Sequence, residues 1–383
     1  MTDRAVATQL LDLCRAYVRH QRPAWPSEGA ADALIAAARP ARLTPLLAGL
    51  SGPDGGPTGD LAALLQRDLY RSAARRLELS DLAGKLLGEL EAAGIPVMIL
   101  KGAVLGERVW RDPAHRPMDD VDLLVRRQDV QGVLDVAGHL GLDRVAERHS
   151  LAFDLRFGAA LVLTRAGEDL TRPSLDVHWR LLEDWRYGDS AGDWLASAWA
   201  RAEPVSFAGR PVLMLAPPDL LVHLAAHLAL HHAFGGWLWH CDIALLMLHE
   251  GEALDWDVAV SAAESLGFKG ALGLALECAR AMFGVGAPPD IERRLRPRGP
   301  RWLLARRLCL SRVLTLASLD SLEHVLPLLL LDSDRACARA VARWILPPPE
   351  WIALRYEPSP WPLGYFRHGG EAIRVATRTL GWR

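Results

Sequence analysis

Two aspartates two residues apart in an apolar run constrain this chain more than any other feature. In Arg116-Pro-Met-Asp-Asp-Val-Asp-Leu-Leu-Val125, strand alternation puts Asp120 and Asp122 on one face and Val121, Leu123 and Val125 on the other. The apolar face can enter a core, while the acids reach the rim of a sheet and can share one hard cation beside a nucleotide phosphate. An isolated Asp-x-Asp pair is most often a solvated edge, so its neighbours decide its meaning.

About twenty residues earlier, Gly94-Ile-Pro-Val-Met-Ile-Leu100 reads as a turn followed by a buried strand. It runs into Lys101-Gly102 and the helical pattern Ala103-Val-Leu-Gly-Glu-Arg-Val-Trp110. A strand, a glycine turn and a helix start make an anion site: backbone N–H groups face the ligand, Gly102 permits close approach, and Lys101 adds a charge. The plain alternative is an ordinary exposed turn.

A third carboxylate is expected, because two magnesium ions on a triphosphate need one more anionic oxygen from the protein. Ser174-Leu-Asp-Val-His-Trp179 alternates so that Asp176 and His178 share one face. Asp176 is the expected third ligand. His178 either touches a phosphate or the substrate, or is simply hydrogen-bonded in place beside a carboxylate. Glu183 and Asp184 are the rival acids. Arg116 is a candidate phosphate clamp, since its planar fork matches phosphate oxygens, with carboxylate pairing as the alternative.

Together, Ile99-Leu-Lys-Gly-Ala103, Arg111 to Val125 and Leu175-Asp-Val-His-Trp179 resemble an uncharacterised nucleotidyltransferase-like family of bacteria, a branch of the DNA polymerase beta-type nucleotidyltransferase superfamily. The resemblance continues through Pro217 to His227 and Trp239 to Ala244, and so covers most of the chain from about residue 60. It implies an α+β fold: a small mixed sheet flanked by helices, with Asp120, Asp122 and Asp176 at the metal-binding and catalytic positions. It further implies two Mg2+ ions and a nucleoside triphosphate, ATP being the expected donor. Lys101 and Gly102 stand where the wider superfamily has Gly-Ser, and Asp119 stands where this branch commonly has glycine. That extra acid either tightens metal binding or deforms the turn.

The expected activity is transfer of a nucleoside monophosphate to an acceptor hydroxyl on a small molecule, peptide or protein, with release of pyrophosphate. Lys101 and the backbone near Gly102 would hold the outgoing phosphates, with Arg116 and His178 as further nucleotide contacts. The alternative is a non-catalytic nucleotide-binding or toxin-neutralising partner protein that keeps the fold. Retention of all three acids favours the enzyme.

The charge balance of 44 Lys and Arg against 46 Asp and Glu lacks the bulk positive charge of proteins that wrap nucleic acid, so a long polynucleotide partner is disfavoured. Five widely spaced cysteines, with no Cys-x-x-Cys, indicate neither a disulfide frame nor a thiolate zinc site. No apolar run of 18 residues and no signal-peptide core are legible, and a cytoplasmic location is expected.

The pattern divides the chain into a helical N-terminal region (1–90), a nucleotidyltransferase core (91–182) and a helical C-terminal region (183–383). Within the core, short strands alternate with one or two helices. The stretch from Gly49 to Gly59 reads as a turn-rich, mobile loop. In the C-terminal region, boundaries fall at Pro204, Pro211, Pro217-Pro218 and Gly284 to Pro289. The prolines around 347–362 predict an extended segment, followed by a basic helix from about Glu371 to Leu380. His223, His227 and His231 recur every four residues on one helix face, with His232 adjacent. They suit a transition-metal site, contact with nucleotide or acceptor, or a packed structural wall. Trp239 and Asp242 read as a packing anchor and as a cap or ion-pair partner.

Overall fold

The computed structural model describes residues 3–26, 28–51, 55–145, 150–167, 172–182, 191–316, 322–357, 359 and 361–379. Helices α1 (Asp3–Val18), α2 (Glu28–Ala38), α3 (Thr44–Ala48) and α4 (Gly59–Ala92) precede the sheet. Leu65, Leu79, Leu82, Leu86 and Leu90 of α4 are buried, as their helical spacing predicts. Three polar residues, Asp68, Ser72 and Arg76, fall in phase with these leucines and are buried too. Of the glycine-rich stretch before α4, residues 52–54 lie outside the described residues.

The sheet has seven strands: β1 (Met98–Ile99), β2 (Asp120–Leu124), β3 (Leu142–Arg144), β4 (Ala160–Arg165), β5 (Ser174–His178), β6 (Glu203–Phe207) and β7 (Arg210–Met214). Their order is β3-β4-β5-β2-β1-β7-β6. Central β2 runs parallel to β5 and antiparallel to β1. Val121, Leu123, Leu175 and Val177 are fully buried, so the alternation read from the sequence is the one adopted. Between these strands the described residues form three α-helices rather than one or two: α5 (Lys101–Arg108), α6 (Val130–His139) and α7 (Leu151–Phe157).

The helical reading of the chain beyond residue 182 fails at 203–214, where β6 and β7 form a hairpin that extends the sheet beside β1. Pro204 and Pro211 mimic helix boundaries. They are tolerated because β6 is an edge strand and β1 pairs only with Leu213 and Met214, leaving Pro211 outside that ladder. Helices α8 (Ala191–Arg201), α9 (Pro217–His231), α10 (Trp237–Glu250), α11 (Trp256–Leu266) and α12 (Lys269–Phe283) follow, with Pro217-Pro218 opening α9 and Gly284 closing α12 at a left-handed φ of 67°. The proline-rich C-terminal stretch is not extended. Pro349–Arg355 and Trp361–Thr379 are helices, because proline at a first helical turn forfeits no intrahelical bond.

Arrangement at this scale is a mixed α+β fold, with a central sheet flanked by N-terminal helices and a larger C-terminal helical region. No described helix is long and apolar enough to cross a membrane. All five cysteines are free, and four of them are buried.

Candidate metal centre

The β2–β5 register assembles the site. Asp120 pairs with Ser174, Asp122 with Asp176 and Leu124 with His178, and paired residues project to the same face. Ligand atoms of Asp122, Asp176 and His178 lie within 4.8 Å of one another, the spacing of donors around a single cation. Two carboxylates and an imidazole, converging from adjacent strands, fit a divalent ion. Asp120 is outside that triplet. It sits two residues earlier on the same face, close enough to feel the charge of Asp122.

His178 Nε2 is 2.9 Å from Asp122 Oδ1, and the ring is buried. Lys101 Nζ donates to the same oxygen at 2.7 Å. Burial alone would raise the Asp122 pKa, but Lys101 and His178 outweigh it and hold the carboxyl far below its usual range. Asp120 is shifted the opposite way, raised by burial and then by the charge of Asp122. The pair therefore contains one securely ionised acid and one whose charge is costly.

Lys101 opens α5 directly after β1 with a left-handed φ of 46°, a strained choice for a residue with a side chain. The next residue must be small for a local reason: a Cβ on Gly102 would lie 2.1 Å from a guanidinium nitrogen of Arg116. Arg116 is buried, and its fork meets the fully buried Asp242 of α10, with Nε to Oδ1 at 3.3 Å and Nη2 to Oδ2 at 2.8 Å. Trp110 Nε1 donates to Asp242 Oδ1 at 2.8 Å. Of the two readings of Arg116, the geometry realises carboxylate pairing. Its charge is nonetheless felt at Asp120.

Asp119 is outside the triplet, with its Oδ2 2.7 Å from Arg42 Nη1, and its charge adds to the rise at Asp120. Glu183 and Asp184 lie outside the described residues. Sequence reasoning missed Arg75 and Arg76 of α4. Arg75 Nη2 donates to the carbonyls of Asp119 (2.9 Å) and Arg172 (2.8 Å), tying together the entries to β2 and β5. Arg76 Nη2 donates to the Ala103 carbonyl at 3.0 Å and pairs with Glu107 at 3.1 Å, fixing α5. The legible signal for Arg76 was its phase with the α4 leucines.

The histidine face of α9 adjoins this site. His223 is buried with neither ring nitrogen hydrogen-bonded, and burial followed by the charge of Lys101 lowers its pKa. His227 is lowered by the same two causes and stacks on the exposed His231 with ring centroids 4.8 Å apart. His232 Nε2 is 3.0 Å from His227 Nε2, and its ring stacks on Trp239 at 3.5 Å. Burial thus favours the neutral form of His223, His227 and His232. Among the described residues, the only group with metal-ligand spacing is Asp122, Asp176 and His178.

A sheet whose paired strands bring two acids and a histidine together, beside a strand–lysine–glycine–helix turn, is consistent with a nucleotidyltransferase-like protein. Residues 27–284 match the model of the uncharacterised nucleotidyltransferase family, and the chain belongs to that family. Among solved structures it is similar to the antibiotic-resistance factor ANT(2'')-Ia in solution, with a TM-score of 0.34 and 14% identity over 48% of this chain and 91% of that one. No curated protein matches it.

Proposed function

We propose that the protein is a nucleotidyltransferase that moves a nucleoside monophosphate from a nucleoside triphosphate, ATP in the first instance, to an acceptor hydroxyl. The acceptor oxygen bonds to the α-phosphorus, the bond from that phosphorus to the bridging oxygen breaks, pyrophosphate departs and the hydroxyl proton passes to water. The observation that carries this reading is the convergence of Asp122, Asp176 and His178 within 4.8 Å. Asp120, Asp122 and Asp176 would hold two magnesium ions. Bound magnesium neutralises triphosphate charge and makes the acceptor hydroxyl more acidic.

The chain's own residues prepare the site. Lys101 keeps Asp122 ionised and presents a cation to the phosphates, and the first turn of α5 offers backbone N–H groups to them. His178 fixes the orientation of the Asp122 carboxylate. Arg116 contributes positive charge from beneath the turn while locking that turn to α10.

The test is incubation of the protein with magnesium, α-labelled ATP and a cell extract. Wild type should transfer label to an extract component, and the double variant Asp120→Ala, Asp122→Ala should transfer none while unfolding cooperatively. Equal labelling by the two proteins would sink the reading.

A further inference from the structure

The stretch Arg293-Arg-Leu-Arg-Pro-Arg-Gly-Pro-Arg-Trp-Leu-Leu-Ala-Arg-Arg307 holds seven arginines and no acid, in a chain whose formal net charge is −2. It forms the end of α13 (Pro289–Leu295) and the first half of α14 (Pro300–Val313). Three of these arginines are taken up by the fold: Arg294 by Asp257 at 2.5 Å, Arg301 by Asp334 at 2.7 Å, and Arg306 by Glu277. Arg293, Arg296, Arg298 and Arg307 are exposed and have no carboxylate partner among the described residues. One side of α14 is packed, with Trp302, Ala305, Cys309 and Val313 buried. Its other side is apolar as well. Leu303 is 60% exposed and Leu304 48%, and Arg307 follows them one turn later on the same face. The helix Asp334–Ile345 is held beside the start of α14 by the Arg301–Asp334 pair, and it adds the exposed Arg335 and Arg339. Neither exposed leucines nor crowded like charges stabilise a fold in water.

We propose that this surface docks on an anionic lipid leaflet, with Leu303 and Leu304 entering the boundary between headgroups and acyl chains and the arginines meeting lipid phosphates. Helices that lie in a bilayer surface bind in this way, burying an apolar face while basic side chains are drawn to negative lipid. The planar guanidinium fork matches phosphate oxygens. A nucleic acid would satisfy the charge but not the leucines. Single-strand sites add aromatic rings on which bases stack, and the one aromatic ring in this stretch, Trp302, is buried. Such docking does not depend on nucleotidyl transfer. It holds the protein at a membrane without a spanning segment, and no described helix is long and apolar enough to provide one.

The test is co-sedimentation of the full chain with vesicles of phosphatidylglycerol and phosphatidylcholine in equal parts, against phosphatidylcholine alone, at about 0.1 M salt. Wild type should bind the anionic vesicles and leave the neutral ones. The triple variant Arg296→Ala, Arg298→Ala, Arg307→Ala should bind the anionic vesicles about a hundredfold more weakly. Leu303→Ser with Leu304→Ser should weaken binding at least about tenfold. Circular dichroism checks that each variant is folded, and the contrast between the two vesicle types stands without any variant. Failure of wild type to sediment with anionic vesicles, or equal sedimentation with both types, overturns the proposal. So does a folded leucine variant that binds like wild type, or tighter binding of wild type to polyuridylate than to anionic vesicles, since either result marks a site for a soluble polyanion.

Discussion

Asp242 on α10 and Asp122 on β2 are both buried aspartates facing a cation, yet they are built for different ends. Asp242 receives an indole N–H and both arms of a guanidinium fork and has no carboxylate in its hydrogen-bonding circle. Asp219 of α9 repeats the pattern, with Trp194 at 2.7 Å and Arg201 at 2.7 and 2.8 Å. Asp122 receives one lysine and one histidine, and it shares its strand face with Asp120 and its register position with Asp176. A carboxylate saturated by fixed donors is a joint. One surrounded by further acids retains an excess of negative charge that folding alone would not select.

The largest expected effect that tests this contrast is Asp242→Ala. It strands the Arg116 charge in a buried position and should cost about 3–5 kcal/mol of stability, read from urea unfolding. A loss below about 1 kcal/mol would show that the joint is dispensable and erase the distinction.

Acidification probes the same helix. His240 of α10 is buried, its Nε2–H donates to the Phe234 carbonyl at 3.0 Å, and burial lowers its pKa to about 4. A histidine with a depressed folded pKa destabilises the native state wherever the unfolded chain binds the extra proton. Stability should therefore be intact above about pH 6.5 and fall as the pH drops towards 4, by about 3 kcal/mol from this residue. His240→Gln should flatten that part of the profile, and an unchanged slope would remove His240 as its source.

The smallest effect is expected at the metal side. Asp120 is raised by burial and by Asp122, so its ionised form penalises the fold at neutral pH and the penalty lifts on protonation. Asp120→Asn should increase stability by about 0.5–1 kcal/mol while ending transfer. Destabilisation instead would place Asp120 among the joints, with Asp242.

Much of this was readable in one dimension. The period-two pattern around Asp120 and Asp122 and around Asp176 and His178 specified two strands with acids on one face, because alternation follows from backbone geometry alone. The helical character of residues 1–90 was legible in leucine spacing, as α4 shows. The β6–β7 hairpin did not, since proline marks helix ends and sheet edges alike and only the neighbouring strand tells them apart. His178 was visible as a neighbour of the acids, but its place within the triplet depends on pairing across strands 56 residues apart.

The sequence by itself determined which residues could carry negative charge to a sheet rim and which faces had to be buried, because side-chain direction along a strand is a local property. Tertiary structure alone decided that Asp122 meets Asp176, that Arg116 is bound to Asp242, and that Asp119 turns away to Arg42. Those outcomes depend on the register of strands and the docking of helices distant in the chain, where burial makes each charge seek whichever partner packing brings within reach.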